Sequence, residues 1–475
     1  MLTGCRGVGV YLRKPTSGVS MGLSERRISR LFDPGSFKED LEGQNTHFIC
    51  GAGTIHSIKT YVAMSRGRDC EFQSNRQWST AQQIIKTVGL ARAAEAPLIY
   101  IQDKIGGNND TEGFDTARVF SSDMSSLLLS SSGMGSVSAS LAELAKRNLL
   151  MSVILGPTSG PLALPVMLAD LVLMTRRGAL CMGRPDMVKA MLAQQTDLYS
   201  LGGSDIHSTA SGSVHLVFDD EADLFTDLRK LLLYLIAGKS STYGEFSTPP
   251  EVDFNRLLPP SHNIPYDVQH LVRSFVDSDS LIEISASHAP EVLVGLASLQ
   301  GQVFAVVANN SAHGGGVIHK RTARKMIHVI DLVGKMGLPI LFIADIPGIM
   351  IGEEAERDGI FTAVADLFRA HSRCKVKKLL LVARKAYTGG VYAMSGPGFE
   401  PVAVLAYPDA NIGVFSTLTM EKIIQSSSMT DAQRAVVSAL DKEIRSPLLL
   451  KDKGLITDVI SVRDTRGTVF KYLFD

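Results

Sequence analysis

Paired glycines placed just after a buried strand can do chemistry without any titrating side chain. Leu379-Leu380-Leu381-Val382-Ala383 is an apolar run of strand length, and it leads through Arg384-Lys385-Ala386-Tyr387-Thr388 into Gly389-Gly390, where a helix can begin. Glycine adopts positive φ and lets a ligand approach closely, while the first amides of a helix carry partial positive charge. Such a turn can aim N–H donors at an oxygen anion, the arrangement of an oxyanion hole. A strand–helix turn that uses glycine only for close packing is the plainer reading of a lone Gly-Gly. A second turn of the same kind, Gly156-Pro157-Thr158-Ser159-Gly160-Pro161-Leu162, follows the apolar run Ser152-Val153-Ile154-Leu155. Pro161 suits a first helical position but has no N–H, so only Gly160 or Leu162 can donate there.

The elements that position these turns come twice. Residues 82–94 have helical apolar spacing and precede the strand Pro97-Leu98-Ile99-Tyr100-Ile101 and a Gln102-Asp103 turn; residues 325–335 precede Pro339-Ile340-Leu341-Phe342-Ile343 and an Ala344-Asp345 turn. Each half then offers its second buried strand and its glycine turn. Strands alternating with helices predict a repeated α/β unit, a duplication at domain scale. Gly244-Glu245-Phe246-Ser247-Thr248-Pro249-Pro250 and Pro259-Pro260-Ser261-His262 mark the linker. The expected organisation is residues 1–23 as a disordered extension or transit-like segment, 24–242 as a first domain and 243–475 as a second.

Several separate segments, in order, resemble the carboxyltransferase (β) subunits of biotin-dependent acyl-CoA carboxylases, the propionyl-, acetyl- and methylcrotonyl-CoA carboxylase group. They are the run 384–401, Ile346-Pro347-Gly348-Ile349-Met350-Ile351-Gly352-Glu353-Glu354-Ala355-Glu356-Arg357-Asp358-Gly359-Ile360, and Val306-Val307-Ala308-Asn309-Asn310 before it. Glu25-Arg26-Arg27-Ile28 with Leu31-Phe32-Asp33-Pro34-Gly35-Ser36-Phe37, the segment 201–212 beginning Leu201-Gly202-Gly203, and the closing Gly454 to Asp464 extend the likeness from about residue 24 to the C-terminus.

The resemblance implies an α/β fold of two tandem crotonase-like (ClpP/crotonase) β-β-α superhelix domains. It implies transfer of a carboxyl group from carboxybiotin to the α-carbon of an acyl-CoA through an enolate, with oxygen anions on biotin and thioester held by backbone donors. Gly389 and Gly390 then serve biotin, and Gly160 with Leu162 the thioester. Ser159, Gly106, Gly107, Val391 and Tyr392 are expected to line the substrate pocket; Gly348, Gly352, Lys320 and Arg321 are the expected contacts to biotin and the coenzyme A phosphates. Arg324 and Lys325 extend that basic cluster, although a solvated helix face accounts for it equally. No biotin-attachment motif and no ATP-grasp-like segment is present, so biotin carboxylase and a biotin carrier are expected as separate partners, with biotin on the carrier. A dimer-based homo-oligomer, up to a hexamer, is implied because the two turns meet between subunits. The first half departs from the pattern at Pro161, at residues 102–113 and at residues 73–78. A biotin-independent decarboxylase or acyltransferase on a CoA or carrier thioester, and a silent partner of an active paralogue, therefore stay open.

Composition excludes other classes. Lys+Arg and Asp+Glu both total 48, which gives no basic excess for nucleic acid or an anionic membrane. The 475 residues, 45% of them hydrophobic, can fill more than one core. Cys5, Cys50, Cys70, Cys181 and Cys374 are scattered and odd in number, against a zinc ribbon or a disulfide scaffold and in favour of a reducing compartment. His207, His215 and His313 lack a third zinc ligand at metal spacing, so no metal is expected, and Ser211 lacks a nucleophile-elbow context. No apolar stretch reaches a membrane span. A cytoplasmic location is the default, mitochondrial or plastid if residues 1–23 are a transit peptide.

Overall fold

The structure, a computed structural model, describes residues 22–40, 46–67, 76–103, 129–159, 163–237, 253–426 and 429–475. In the first half, strands β1 (Lys38–Glu39), β2 (Phe48–Ile55), β3 (Ile58–Ser65), β4 (Leu98–Gln102), β5 (Leu150–Ile154), β7 (Leu171–Thr175) and β9 (Leu216–Phe218) form one sheet in that order, and β6 (Pro157–Ser159) pairs with β8 (Ala179–Cys181) in a small second sheet. In the second half, β10 (Ile282–Glu283), β11 (Val292–Leu299), β12 (Gln302–Asn309), β13 (Ile340–Ile346), β14 (Lys378–Tyr387), β15 (Ala403–Ala406) and β17 (Asp458–Val459) form the other sheet, with β16 (Asn411–Gly413) beside the end of β14.

Each sheet opens antiparallel and continues parallel, strand for strand, as the duplication predicts. Parallel neighbours need long crossovers, and helices provide them: Arg76–Ala93 between β3 and β4, and Lys320–Met336 between β12 and β13. Strands β4 and β13 are buried along their whole length, so they read as unbroken apolar runs rather than alternating ones. Helix Lys320–Met336 is amphipathic, burying Ala323, Met326, Val329, Ile330 and Val333, and it stops at Gly337, whose φ of 71° suits a left-handed cap.

One continuous apolar cluster joins the halves, with Ile28, Val62, Leu224 and Leu228 of the first beside Val294, Met326 and Ile330 of the second. Separate clusters fill the outer faces, around Tyr100, Val137 and Leu141 in the first half and around Phe275, Phe304 and Leu341 in the second. Helices Glu221–Ala237 and Lys320–Met336 thus lie in a shared layer between the two sheets. Polar clamps reinforce it: Lys335 pairs with Asp170 and its Nζ donates to the Ala145 carbonyl at 2.9 Å, while the Tyr234 hydroxyl donates to the Ser280 carbonyl at 3.3 Å. The linker residues 244–250 and the extension 1–21 lie outside the described residues. Ser261 and His262, from the other linker stretch, pack onto the second half through β14.

Candidate functional site

Strand β14 ends at Tyr387, and a short helix, Gly389–Ala393, begins two residues on. The junction residue, Thr388, has φ 48° and ψ −133°, an outlier for a β-branched residue and local strain of the kind that gathers at functional turns. Its N–H donates to the Gly413 carbonyl at 3.1 Å, which ties the turn to the end of β16. The N–H groups of Gly389 and Gly390 come next, and neither meets an acceptor among the described residues. They are the free first amides of a helix, exposed at Thr388 and progressively buried toward Gly390. Space behind the glycines is tight: a methyl on Gly390 would lie 3.1 Å from three carbons of Ile346, and one on Gly389 would lie 3.0 Å from Ile349 Cδ1, the end of a single side chain.

The short helix is held from behind. His371, fully buried on helix Ile360–Arg373, donates from Nε2 to the Ala393 carbonyl at 2.9 Å, against Phe342 and Phe399. Burial pushes its pKa down to about 4, so the ring is a neutral donor at physiological pH. Below the turn, Arg384 and Asp345 form a buried ion pair at 2.7 Å. The same guanidinium donates to the carbonyls of Ser261 and Ile264 and to Ser311 Oγ, and it lies 4.5 Å from the Tyr266 ring centre. This arrangement satisfies the buried charge and fixes the ends of β13 and β14 relative to each other. Neither His371 nor this network carries a signal in the sequence, because their partners are distant along the chain.

The first half holds the counterpart. Strand β5 pairs with β7 as β14 pairs with β15, and Pro157–Ser159 pairs with Ala179–Cys181 as Lys385–Tyr387 pairs with Asn411–Gly413. Ser159, which is exposed, therefore stands where Tyr387 stands in the second half. Counting on in the sequence, Gly160-Pro161-Leu162 follow the one and Thr388-Gly389-Gly390 the other. Residues 160–162, like Gly106 and Gly107, lie outside the described residues.

The other expected contacts divide between two places. Gly348 and Ile349 lie against the turn: a methyl on Gly348 would meet Thr388 Oγ1 at 3.5 Å, and Gly348, with φ 139°, accepts the Ile318 N–H. Gly352, at φ 118°, caps helix Glu353–Asp358. Val391 is half-buried, with its N–H bonded to the Thr388 carbonyl, and Tyr392 is 53% exposed rather than packed in the core. Lys320 and Arg321 stand apart from the turn, lining a cavity between the halves and ion-paired to Asp358 and Glu291. His207 hydrogen-bonds the Leu180 carbonyl, His215 accepts the Val172 N–H at 2.9 Å, and among the described residues no three-ligand metal cluster forms. Cys50, Cys181 and Cys374 are buried free thiols. No helix of the described residues is long and apolar enough to cross a membrane.

Known proteins share this plan. The chain is 32% identical over 406 residues to the uncharacterized carboxylase YngE of Bacillus subtilis, spanning 83% of this chain and 77% of that one. It is 27% identical over 423 residues to the biotin-dependent acetyl-/propionyl-coenzyme A carboxylase beta6 subunit of Mycobacterium tuberculosis, spanning 88% and 85%. Among solved structures, transcarboxylase 12S superposes with a TM-score of 0.80 at 23% identity, over 94% of this chain and 88% of that one, and its fold is the tandem crotonase-like pair described above. The carboxyl transferase domain model matches residues 23–473, and with that the chain belongs to the carboxyl transferase family.

Proposed function

We propose that the chain is the carboxyltransferase subunit of a biotin-dependent acyl-CoA carboxylase, working with a separate biotin carboxylase and biotin carrier. The observation that carries the reading in this molecule is the pair of free amides at Gly389 and Gly390. They suit the ureido oxygen of biotin, which gains negative charge when the carboxyl group leaves: two donors, no competing acceptor among the described residues, and glycines that leave room for close approach. Biotin, when bound, supplies the carboxyl group to be transferred. The residues of this chain hold charge and position: the strained Thr388 and the His371 bond at the far end fix the direction of the amides, so little reorganisation is needed as charge develops. Gly160 and Leu162 are assigned to the thioester oxygen; by count Leu162 matches Gly390, Pro161 stands without an N–H in the place of Gly389, and Gly160 matches Thr388.

Assembly completes the site in this reading. Apolar side chains are exposed in both halves: Met350, Ile351 (81% exposed), Val414 and Phe415 in the second, and Met182 (84% exposed), Leu164 and Met167 in the first. A homo-oligomer that sets the first half of one subunit against the second half of another would cover such side chains in both halves. Biotin-independent decarboxylation, acyl transfer and a silent-partner role are not favoured, because the relatives that match along the chain are carboxylases and carboxyltransferases. The test is carboxyl exchange between malonyl- or methylmalonyl-CoA and free biotin by the purified oligomer. Exchange that requires biotin supports the assignment, and loss of carbon dioxide at the same rate without biotin refutes it.

A further inference from the structure

The basic cluster that the turn does not use lies in a cavity of about 410 Å³ between the two halves of one chain. One stripe of helix Lys320–Met336 forms its wall, with Arg321, Arg324, Lys325 and His328 spaced one turn apart so that they share a face. The segment Ser211-Gly212 and the residues His215 and His288 close it from the other side. Gly212 is required there, since a methyl on it would lie 2.5 Å from the His288 ring. The 201–212 segment thus ends as part of this cavity.

Two of the four cations are already neutralised. Lys320 is paired with Asp358 at 3.0 Å and Arg321 with Glu291. Of the other two, Arg324 is exposed and has no ion pair among the described residues, while Lys325 is buried, donates to the Val292 carbonyl at 2.8 Å and more weakly to that of Ala289, and feels the Glu283 and Glu291 carboxylates without pairing directly with either. The imidazoles add polar atoms. His215 accepts the Val172 N–H at Nδ1, so its neutral ring carries the proton on Nε2, and it stacks on His328 with ring centres 4.3 Å apart. His328 Nε2 is a buried atom with no hydrogen-bond partner. An unpaired guanidinium, a buried ammonium with no direct carboxylate contact, an N–H donor and an unpartnered imidazole nitrogen surround one polar cavity, and the carboxylate among its lining residues, Asp358, is taken by Lys320.

We propose that this cavity between the halves binds the phosphate group of a small phosphate ester, at a site separate from the Gly389-Gly390 turn. A tetrahedral phosphate can meet the unpaired guanidinium of Arg324 through two parallel N–H donors, with the Lys325 ammonium beside it. The volume leaves room for the organic part of a nucleotide. Because the walls come from both halves, a bound ester also fastens one domain to the other. Coenzyme A and a free nucleotide both carry such a phosphate, and the probes separate them.

The experiment is calorimetric titration of the intact oligomer, at matched ionic strength, with pyrophosphate, ADP and adenosine 3′,5′-bisphosphate, comparing wild type with Arg324→Glu. Arg92→Glu, which reverses an exposed arginine on helix Arg76–Ala93, controls for general charge. The expected result is saturable binding of at least one probe, weakened tenfold or more by Arg324→Glu and unchanged by Arg92→Glu. Preference for the bisphosphate assigns the coenzyme A nucleotide, preference for ADP a free nucleotide, and equal binding of pyrophosphate the phosphate alone. No saturable binding to wild type, or equal affinity in Arg324→Glu, overturns the site. Neither outcome bears on carboxyl exchange at the turn, which is measured separately.

Discussion

Replacing Gly389 by proline removes one free N–H and reproduces in the second half what the sequence already has at Pro161. Position 389 opens the short helix, where a proline ring is tolerated because the lost N–H had no helical partner, and its φ is not positive. The added carbon meets Ile349 Cδ1 at 3.0 Å, and the next contact is 4.0 Å away on the same half-buried side chain, which can turn aside. Gly389→Ala adds the same carbon and keeps the N–H, so the ratio of the two variants isolates the donor. Loss of one preorganised donor costs about 2.7–4 kcal/mol at the transition state, so Gly389→Pro should turn over roughly 10²–10³-fold more slowly than Gly389→Ala. Alanine itself should stay within about threefold of wild type, since the shift it asks of Ile349 costs about 0.5 kcal/mol, in the range of a rotamer change. The assay is biotin-dependent carboxyl exchange from methylmalonyl-CoA, with circular dichroism confirming the fold. A folded proline variant as fast as the alanine variant would refute the role of these amides.

Four further outcomes are expected. If the site forms between subunits, light scattering should show at least a dimer, and mixing Gly389→Pro with a Gly160→Pro variant should restore part of the exchange activity; a fully active monomer would contradict this. Pro161→Gly should raise exchange if the thioester side lacks a donor, whereas an unchanged rate means that Gly160 and Leu162 suffice. Arg384→Ala leaves the buried Asp345 carboxylate with only Lys385, 3.7 Å away, and should cost about 3–5 kcal/mol in urea unfolding, partly recovered by adding Asp345→Asn. His371 has its folded pKa lowered from 6.5 to about 4, so as pH falls the unfolded chain takes up the proton first. Its contribution is complete above pH 6.5 and fades as pH falls toward 4, by about 3 kcal/mol in all, and His371→Gln should flatten that part of the stability curve.

Much of the architecture was legible because it is written locally. The apolar runs at 97–101, 152–155, 339–343 and 379–382 became β4, β5, β13 and β14, and the helical spacing at 82–94 and 325–335 became the crossover helices, each extended at its N-terminal end to Arg76 and Lys320. Strand and helix periods depend only on which residues must face a core, and a core large enough to cover both faces of a sheet makes its strands unbroken apolar runs. The glycine turn was legible for the same reason, since a strand that ends in Gly-Gly leaves few other conformations. The duplication appeared as the same order of elements twice.

What the turn can do depended on atoms far away in the chain. Gly390 is needed because Ile346 fills the space behind it, and the short helix is oriented because His371 reaches Ala393 from another helix. The positive φ of Thr388 follows from its bond to Gly413 and the helix start beside it, not from threonine's own preference, which opposes it. The cluster Lys320, Arg321, Arg324 and Lys325 was visible as charge, but only folding showed that all four line a cavity closed by the other half and that Lys320 and Arg321 are ion-paired there. The sequence by itself therefore determined the elements, their repetition and the turn that offers free amides, because these follow from local periodicity and from glycine. Tertiary structure alone decided which buried groups aim those amides and which charges stay uncompensated, because a side chain's electrostatic surroundings are set by neighbours that the chain brings together only when it folds.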